Sequence, residues 1–444
     1  MTIEMLNKRP MTHKTLAVIA IVVMLSFFVY PAQASGLTDE QKLNAYYTLI
    51  TMKISSGAYD DALENIEKAM PLAGSDSQLL ADLWLKKGAV YAMQGNYEAA
   101  LPALQSVLAY DEGSADAHLL YSQIYAQQGD AGKAIEHLTR YLSLRPDDNA
   151  MYAMLAELNF TLGQYKAAEE AYTRFIDSQD AVDLAALYMR GVSSMQSGRY
   201  KEAIDDFTLA VDDPEHGQNA RFNRAVSYMQ LGRLDEAEKD FTVLIDAGLV
   251  MKGLRFNRGA VRMSLADMTG AVEDFTASID AREQTADALV NRATCLLQMQ
   301  QFEEAYDDFT RYMDLTGAKD TAAYYRGIAL LSMKKFDEAV KDFTVFLDDA
   351  VPQLPRETLA DLPAWARNYR AAAHMGTERF EQAIEDLTAN IEAGLLKTIS
   401  YYNRSLCYQS LGQNDLAEKD LMMSLAEEEA SPLRPADAQG MPAD

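Results

Sequence analysis

An all-α solenoid of about eleven stacked helix pairs is the fold this sequence predicts, and three observations predict it. An alanine recurs at one place of a 34-residue unit, as Ala62, Ala100, Ala134, Ala168, Ala203, Ala237, Ala271, Ala305, Ala339, Ala383 and Ala417. Five residues before it, a glycine (Gly57, Gly95, Gly129, Gly163, Gly198, Gly232, Gly412) separates two amphipathic stretches of helical period. Four residues after it stands a large apolar side chain, phenylalanine in five successive units (Phe207, Phe241, Phe275, Phe309, Phe343). A period of this length marks paired helices that bury a face only by stacking on their neighbours. Such arrays offer long surfaces and no closed catalytic pocket.

Numbered from 1 to 34, the repeats start at 43, 81, 115, 149, 184, 218, 252, 286, 320, 364 and 398. Position 8 is small, as in Gly88, Ala156, Gly191, Ala225, Gly259, Gly327 and Ala371. Position 17 is aromatic in seven repeats, as in Tyr59, Tyr97, Tyr165, Tyr200, Phe302, Phe336 and Phe380. Glycine at 15 supplies the backbone freedom of a tight helix–helix turn. Small residues at 8 and 20 let the helices approach, and bulky ones at 17 and 24 fill the space between them. Trp84-x3-Gly88-x2-Tyr91 followed by Gly95-x-Tyr97-x2-Ala100 resembles the tetratricopeptide repeat. The resemblance covers eleven repeats, 374 of 444 residues. It implies a right-handed superhelix that binds protein partners.

The domain plan follows the repeats. Lys8, Arg9 and Lys14 precede an apolar run from Leu16 to Tyr30 and then Pro31-Ala32-Gln33-Ala34-Ser35. That pattern reads as a secretory signal peptide, residues 1–34, cleaved after Ala34. The run is shorter than the ~20 residues that span a bilayer. The expectation is an exported, periplasmic or secreted protein with no membrane insertion after cleavage; an uncleaved anchor is the alternative. A lead-in, 35–42, contains Thr38-Asp39-Glu40-Gln41 with capping-box spacing. Repeats one to nine fill 43–353, with four extra residues, Ser77 to Leu80, before the second. A segment punctuated by Pro355 and Pro363, residues 354–363, interrupts the array. Repeats ten and eleven fill 364–431, and a Pro-rich tail, 432–444, is expected to be disordered. The last repeat lacks a polar capping helix, so Leu421, Met422 and Met423 offer a surface for oligomer formation.

Composition excludes several functions. The chain carries a net charge of −26, and loss of residues 1–34 removes a net +2 and leaves −28. Such a polyanion repels nucleic acid at long range. The histidines (His13, His118, His137, His216, His374) occupy different repeat positions and show no metal-ligand spacing. No phosphate loop, zinc motif or nucleophile elbow is present, so neither cofactor nor catalysis is expected. Cys295 and Cys407 share position 10 but lie three repeats apart, roughly 25–30 Å at ordinary helix spacing. That is too far for a disulfide, and two buried thiols are expected.

Two features distinguish the later repeats. Repeats five to eleven have arginine at position 7 (Arg190, Arg224, Arg258, Arg292, Arg326, Arg370, Arg404) and aspartate at 23 (Asp206, Asp240, Asp274, Asp308, Asp342, Asp386, Asp420). Repeats one to four have neither, and this joint occurrence predicts an ion pair across each hairpin. The resemblance also implies that positions 2, 5, 6, 9, 12 and 13 line a concave groove. There the chain offers Tyr188, Phe222, Phe256, Val290, Tyr324 and Tyr402 at 5, Met195, Met229, Met263, Leu297 and Leu331 at 12, and Asn223, Asn257, Asn291 and Asn403 at 6. An asparagine amide both donates to and accepts from a peptide unit. Asn223-Arg224-Ala225 is similar to the chaperone-binding members of the family, but the residues by which those clamp an acidic C-terminus are met in no repeat. The reading is a non-enzymatic module that binds an extended peptide or protein partner in its groove. The alternatives are a structural scaffold of an envelope assembly or polysaccharide-export machine, and a membrane-anchored sensory or regulatory domain.

Overall fold

The computed structural model describes residues 36–318, 321–353 and 361–430. Among them are twenty-two α-helices and no strand. The chain packs into two units, one ending at Arg145 and one beginning at Pro146.

The first unit holds three antiparallel hairpins: α1 (Asp39–Ser55) with α2 (Tyr59–Ala69), α3 (Ser77–Met93) with α4 (Tyr97–Tyr110), and α5 (Ala115–Gln127) with α6 (Ala131–Leu144). Thr38 opens α1 by the reciprocal capping box: its hydroxyl accepts from the Gln41 amide and the Gln41 side chain accepts from the Thr38 amide. The four extra residues before the second repeat do not form a loop. Asp76 caps the helix by accepting from the Gln78 and Leu79 amides, and the insertion lengthens α3 by about one turn at its start.

The second unit holds eight hairpins. They are α7 (Ala150–Thr161) with α8 (Tyr165–Asp177), α9 (Leu184–Gln196) with α10 (Tyr200–Ala210), α11 (Gly217–Gln230) with α12 (Leu234–Asp246), and α13 (Leu254–Ser264) with α14 (Met268–Asp280). Then come α15 (Thr285–Gln298) with α16 (Phe302–Thr316), α17 (Thr321–Ser332) with α18 (Phe336–Val345), α19 (Leu362–Gly376) with α20 (Phe380–Glu392), and α21 (Lys397–Ser410) with α22 (Asn414–Ala430). After α18 the chain continues through a π turn, Phe346–Ala350, and a 3-10 turn, Val351–Gln353. The interruption ends earlier than residue 363, because Pro363 sits in the first turn of α19, where its missing N–H costs nothing. Residues 354–360, residues 1–34 read above as a signal peptide, and the 432–444 tail lie outside the described residues. No described helix is long and apolar enough to cross a membrane.

Two details explain why each repeat closes. The turn position 15 is left-handed throughout, at φ 75° in Gly57 and 73° in Gly95. Repeats seven to ten adopt the same conformation without glycine, at Ala266, Gln300, Lys334 and Glu378. At position 8 the constraint is steric. A Cβ on Gly191 would lie 2.8 Å from the Phe207 ring, and one on Gly327 2.8 Å from Phe343. Those phenylalanines are fully buried, and truncating one costs about 3–5 kcal/mol.

Within the second unit, successive odd-numbered helices from α9 to α21 approach one another more closely than successive even-numbered ones. The odd layer is therefore the inner one and the even layer is splayed.

Candidate functional site

The inner layer is built on a polar ladder. In each of repeats five to eleven, position 7 meets position 23 of its own hairpin as a two-point fork. Arg190 Nε donates to Asp206 at 2.8 Å and Nη2 at 2.6 Å. Arg258 makes the same two bonds to Asp274 at 2.7 Å each, with the carboxylate 1% exposed. Arg224–Asp240, Arg292–Asp308, Arg326–Asp342, Arg370–Asp386 and Arg404–Asp420 repeat the geometry. Planar guanidinium matches carboxylate in this bidentate form, which is stronger and more directional than a neutral bond. The hydrogen bonds that Arg292 donates to Asp308 push its pKa above the ordinary value, so the cation persists at any ordinary pH.

The third nitrogen of each fork has a partner that sequence reasoning missed. Nη1 of each arginine donates to a threonine at position 25 of the preceding repeat: Thr173, Thr208, Thr242, Thr276, Thr310, Thr344 and Thr388. One guanidinium thus closes its own hairpin and joins it to the repeat before. The signal was present as a threonine column running from Thr139 in repeat three to Thr388 in repeat ten, whose last seven members each precede a position-7 arginine by one repeat. It also explains why repeat four, which lacks the Arg–Asp pair, belongs with the block. Thr173 is the anchor for Arg190.

The expected groove residues divide. Tyr188 and Tyr324 are core rings and cannot face a ligand; they are 6% and 7% exposed. Phe222 and Phe256 are half-buried, their rings 5.6 and 5.7 Å from Phe241 and Phe275. Met195, Met229 and Met263 pack at the edges of three apolar clusters, and Tyr402 alone among the named aromatics is exposed. The reason is helical geometry. At 100° per residue, positions 5 and 12 lie within about 60° of position 8, whereas 2, 6, 9 and 13 lie about 100–160° from it. Since position 8 packs on the even helix, as Gly191 does on Phe207, the 2-6-9-13 stripe points away from that layer.

The four asparagines of that stripe are not equivalent. Burial raises the pKa of the Tyr188 phenol and the Asn223 amide of the next repeat opposes that rise, and Asn403 Nδ2 donates to Asn368 Oδ1 at 2.9 Å. Both serve the joint between repeats. Asn257 and Asn291 face positions held by Phe222 and Phe256, and their amides make no hydrogen bond among the described residues. These two amides are half-buried and free to bind.

Other polar groups are structural. The fold brings together two histidines that the sequence left scattered. His118 and His137, on α5 and α6, share a hydrogen bond of 3.0 Å between their Nδ1 atoms, and His137 stacks on Tyr121 at 4.4 Å. Among the described residues no three metal-ligating side chains converge. Cys295 and Cys407 are free and buried, and burial pushes both thiols up to about 11.

Comparison with known proteins agrees with the repeat reading. Tetratricopeptide-repeat family profiles match residues 91–158, 153–217, 219–245 and 399–426. The chain is 24% identical over 179 residues to tetratricopeptide repeat protein 13 of Homo sapiens, spanning 39% of this chain and 20% of that protein. Among solved structures it is similar to a chain of the Naa15/Naa10 complex bound to HypK-THB, with 14% identity, a TM-score of 0.48, and coverage of 88% of this chain and 64% of that one. A tetratricopeptide repeat protein from Parabacteroides merdae matches with 21% identity and a TM-score of 0.36, over 57% of this chain and 98% of that one. The chain is a tetratricopeptide repeat protein, by its repeats a protein-interaction module.

Proposed function

We propose that the inner stripe of repeats five to eleven binds an extended segment of a protein partner. The observation that carries this reading is the pair of free amides, Asn257 and Asn291, on adjacent repeats. Each can donate to and accept from one peptide unit, and half-buried Val226, Ala260, Thr294 and Ile328 beside them suit apolar side chains. The signal-like residues 1–34 support delivery of the protein outside the cytoplasm, with cleavage after Ala34. Mass spectrometry of the mature N-terminus tests that placement, and an intact residue 1 would favour a membrane-anchored sensory role instead. The groove is tested by affinity capture from envelope extract with the native protein and with Asn257→Ala/Asn291→Ala. Capture of the same partners by both proteins would move binding off the inner stripe.

A scaffold held by its end is the second reading. On α22, Leu421, Met422, Met423 and Leu425 are 43%, 64%, 37% and 49% exposed, although position 24 is buried phenylalanine in five earlier repeats. Partners captured unchanged by the asparagine variant and lost on Leu421→Lys/Leu425→Lys would select it.

A further inference from the structure

The inner stripe of repeats five to eleven is almost uncharged in a chain of net charge −26. At positions 2, 6, 9 and 13 of these repeats, Asp287 is the single charged residue. It is also the single acidic residue on the odd-numbered helices from α9 to α21, so the block's carboxylates lie on the even layer and in the connections.

The arginine ladder does not restore charge to the stripe. Each position-7 arginine points to the opposite side of its helix. Its Nε and Nη2 are held by aspartate and its Nη1 by threonine, as in Arg292 with Asp308 and Thr276. Seven arginines on the inner helices suggest an acid clamp, but the structure leaves none of them free to act as one. An acidic segment laid on the stripe meets no available cation. A basic segment meets no carboxylate but Asp287. Either would lose hydration without gaining a counter-charge.

We propose that the groove selects an extended peptide segment without charged side chains, its backbone held by Asn257 and Asn291 and its apolar side chains laid on position 9. This rests on the groove reading above. Because no ion pair forms, binding is insensitive to salt, unlike association steered by the acidic even layer.

The test is random-peptide display on the intact protein, with the same selection on Asn257→Ala/Asn291→Ala checked for native circular dichroism. The expected peptides lack Asp, Glu, Lys and Arg, bind equally at low and high salt, and lose about tenfold or more in affinity on the double variant. Charged peptides that still depend on the two asparagines overturn the neutral-segment proposal and leave the groove reading standing. Peptides indifferent to the asparagines, or none enriched, overturn the groove reading itself. Asn257→Asp, nearly the same shape, supplies a second readout: selection should shift toward peptides with Lys or Arg, and an unchanged neutral set refutes the charge argument.

Discussion

In the third repeat, positions 7 and 23 are Tyr121 and His137, stacked at 4.4 Å; in the seventh they are Arg258 and Asp274, joined by two bonds of 2.7 Å. The second repeat has Lys87 at position 7, paired to Glu67 at position 25 of the repeat before. The fourth has Leu155 and Ala171 in one apolar cluster. The three pairs at positions 7 and 23 of one hairpin bridge the same space, so the hairpin itself requires only that the gap between its helices be filled, whereas Lys87–Glu67 joins two repeats. What Arg–Asp–Thr adds is direction. A rigid fork satisfied at three points fixes the rotation of one hairpin and its offset from the preceding one together, whereas a ring stack tolerates sliding. The early repeats hold shape mainly by volume, the later ones by volume and register.

The strongest way to break this contrast is Asp274→Ala. It strands Arg258 and removes a partner of Arg262, and should cost about 3–5 kcal/mol. Thermal unfolding and hydrogen exchange across α13 and α14 would show it. A cost below about 1 kcal/mol would make the fork equivalent to a surface ion pair. Replacing both partners, Arg258→Met with Asp274→Leu, should recover most of the loss, because an apolar pair leaves no buried charge.

The next effect separates the regions by pH. Burial holds His118 and His137 below the ordinary imidazole value, helped by Arg140 for the first and by His118 for the second, and opposed by Glu136 for both. As pH falls, the unfolded chain takes up protons before the folded hairpin does. Stability here is thus complete above about pH 6.5 and declines below it until the folded rings protonate. Protection of α5 and α6 amides, relative to the intrinsic exchange rate at each pH, should fall between about pH 7 and 5, and His118→Leu/His137→Phe should abolish the dependence. The Arg–Asp rungs contain no histidine. In the later repeats His374 shares the behaviour, its pKa lowered by burial and then by Arg379, so α19 should respond as well.

Two smaller effects sharpen the comparison. Thr276→Val removes the Arg292 Nη1 bond between repeats and leaves the hairpin fork, for a loss of about 1 kcal/mol. Exchange should rise at the joint between α14 and α15 and stay unchanged at the turn between α15 and α16; equal loosening of both would deny the division of roles. Lys334→Gly relieves a left-handed side chain and should stabilise by up to about 1 kcal/mol, whereas Gly95→Ala introduces the same strain in an early repeat and should destabilise by a similar amount. Chemical denaturation of the two single variants measures both signs.

The sequence alone determined the repeat length, the helix pairs, the left-handed turn and the start of α1. Each follows from contacts within about one period, where spacing and residue type leave few alternatives. The partnership of positions 7 and 23 was legible for the same reason, since they face each other across one hairpin and occur together. Packing between repeats was a different matter. Tertiary structure decided that Tyr188 and Tyr324 are core, that His118 meets His137, and that Thr173 brings the fourth repeat into the arginine block. Of the four asparagines, it left Asn257 and Asn291 without a side-chain hydrogen bond among the described residues. The physical reason is that a helical position gives a direction, but whether a side chain pointing that way meets solvent, a ring or a hydroxyl depends on the rotation and offset of the next hairpin, and that is set by the whole stack.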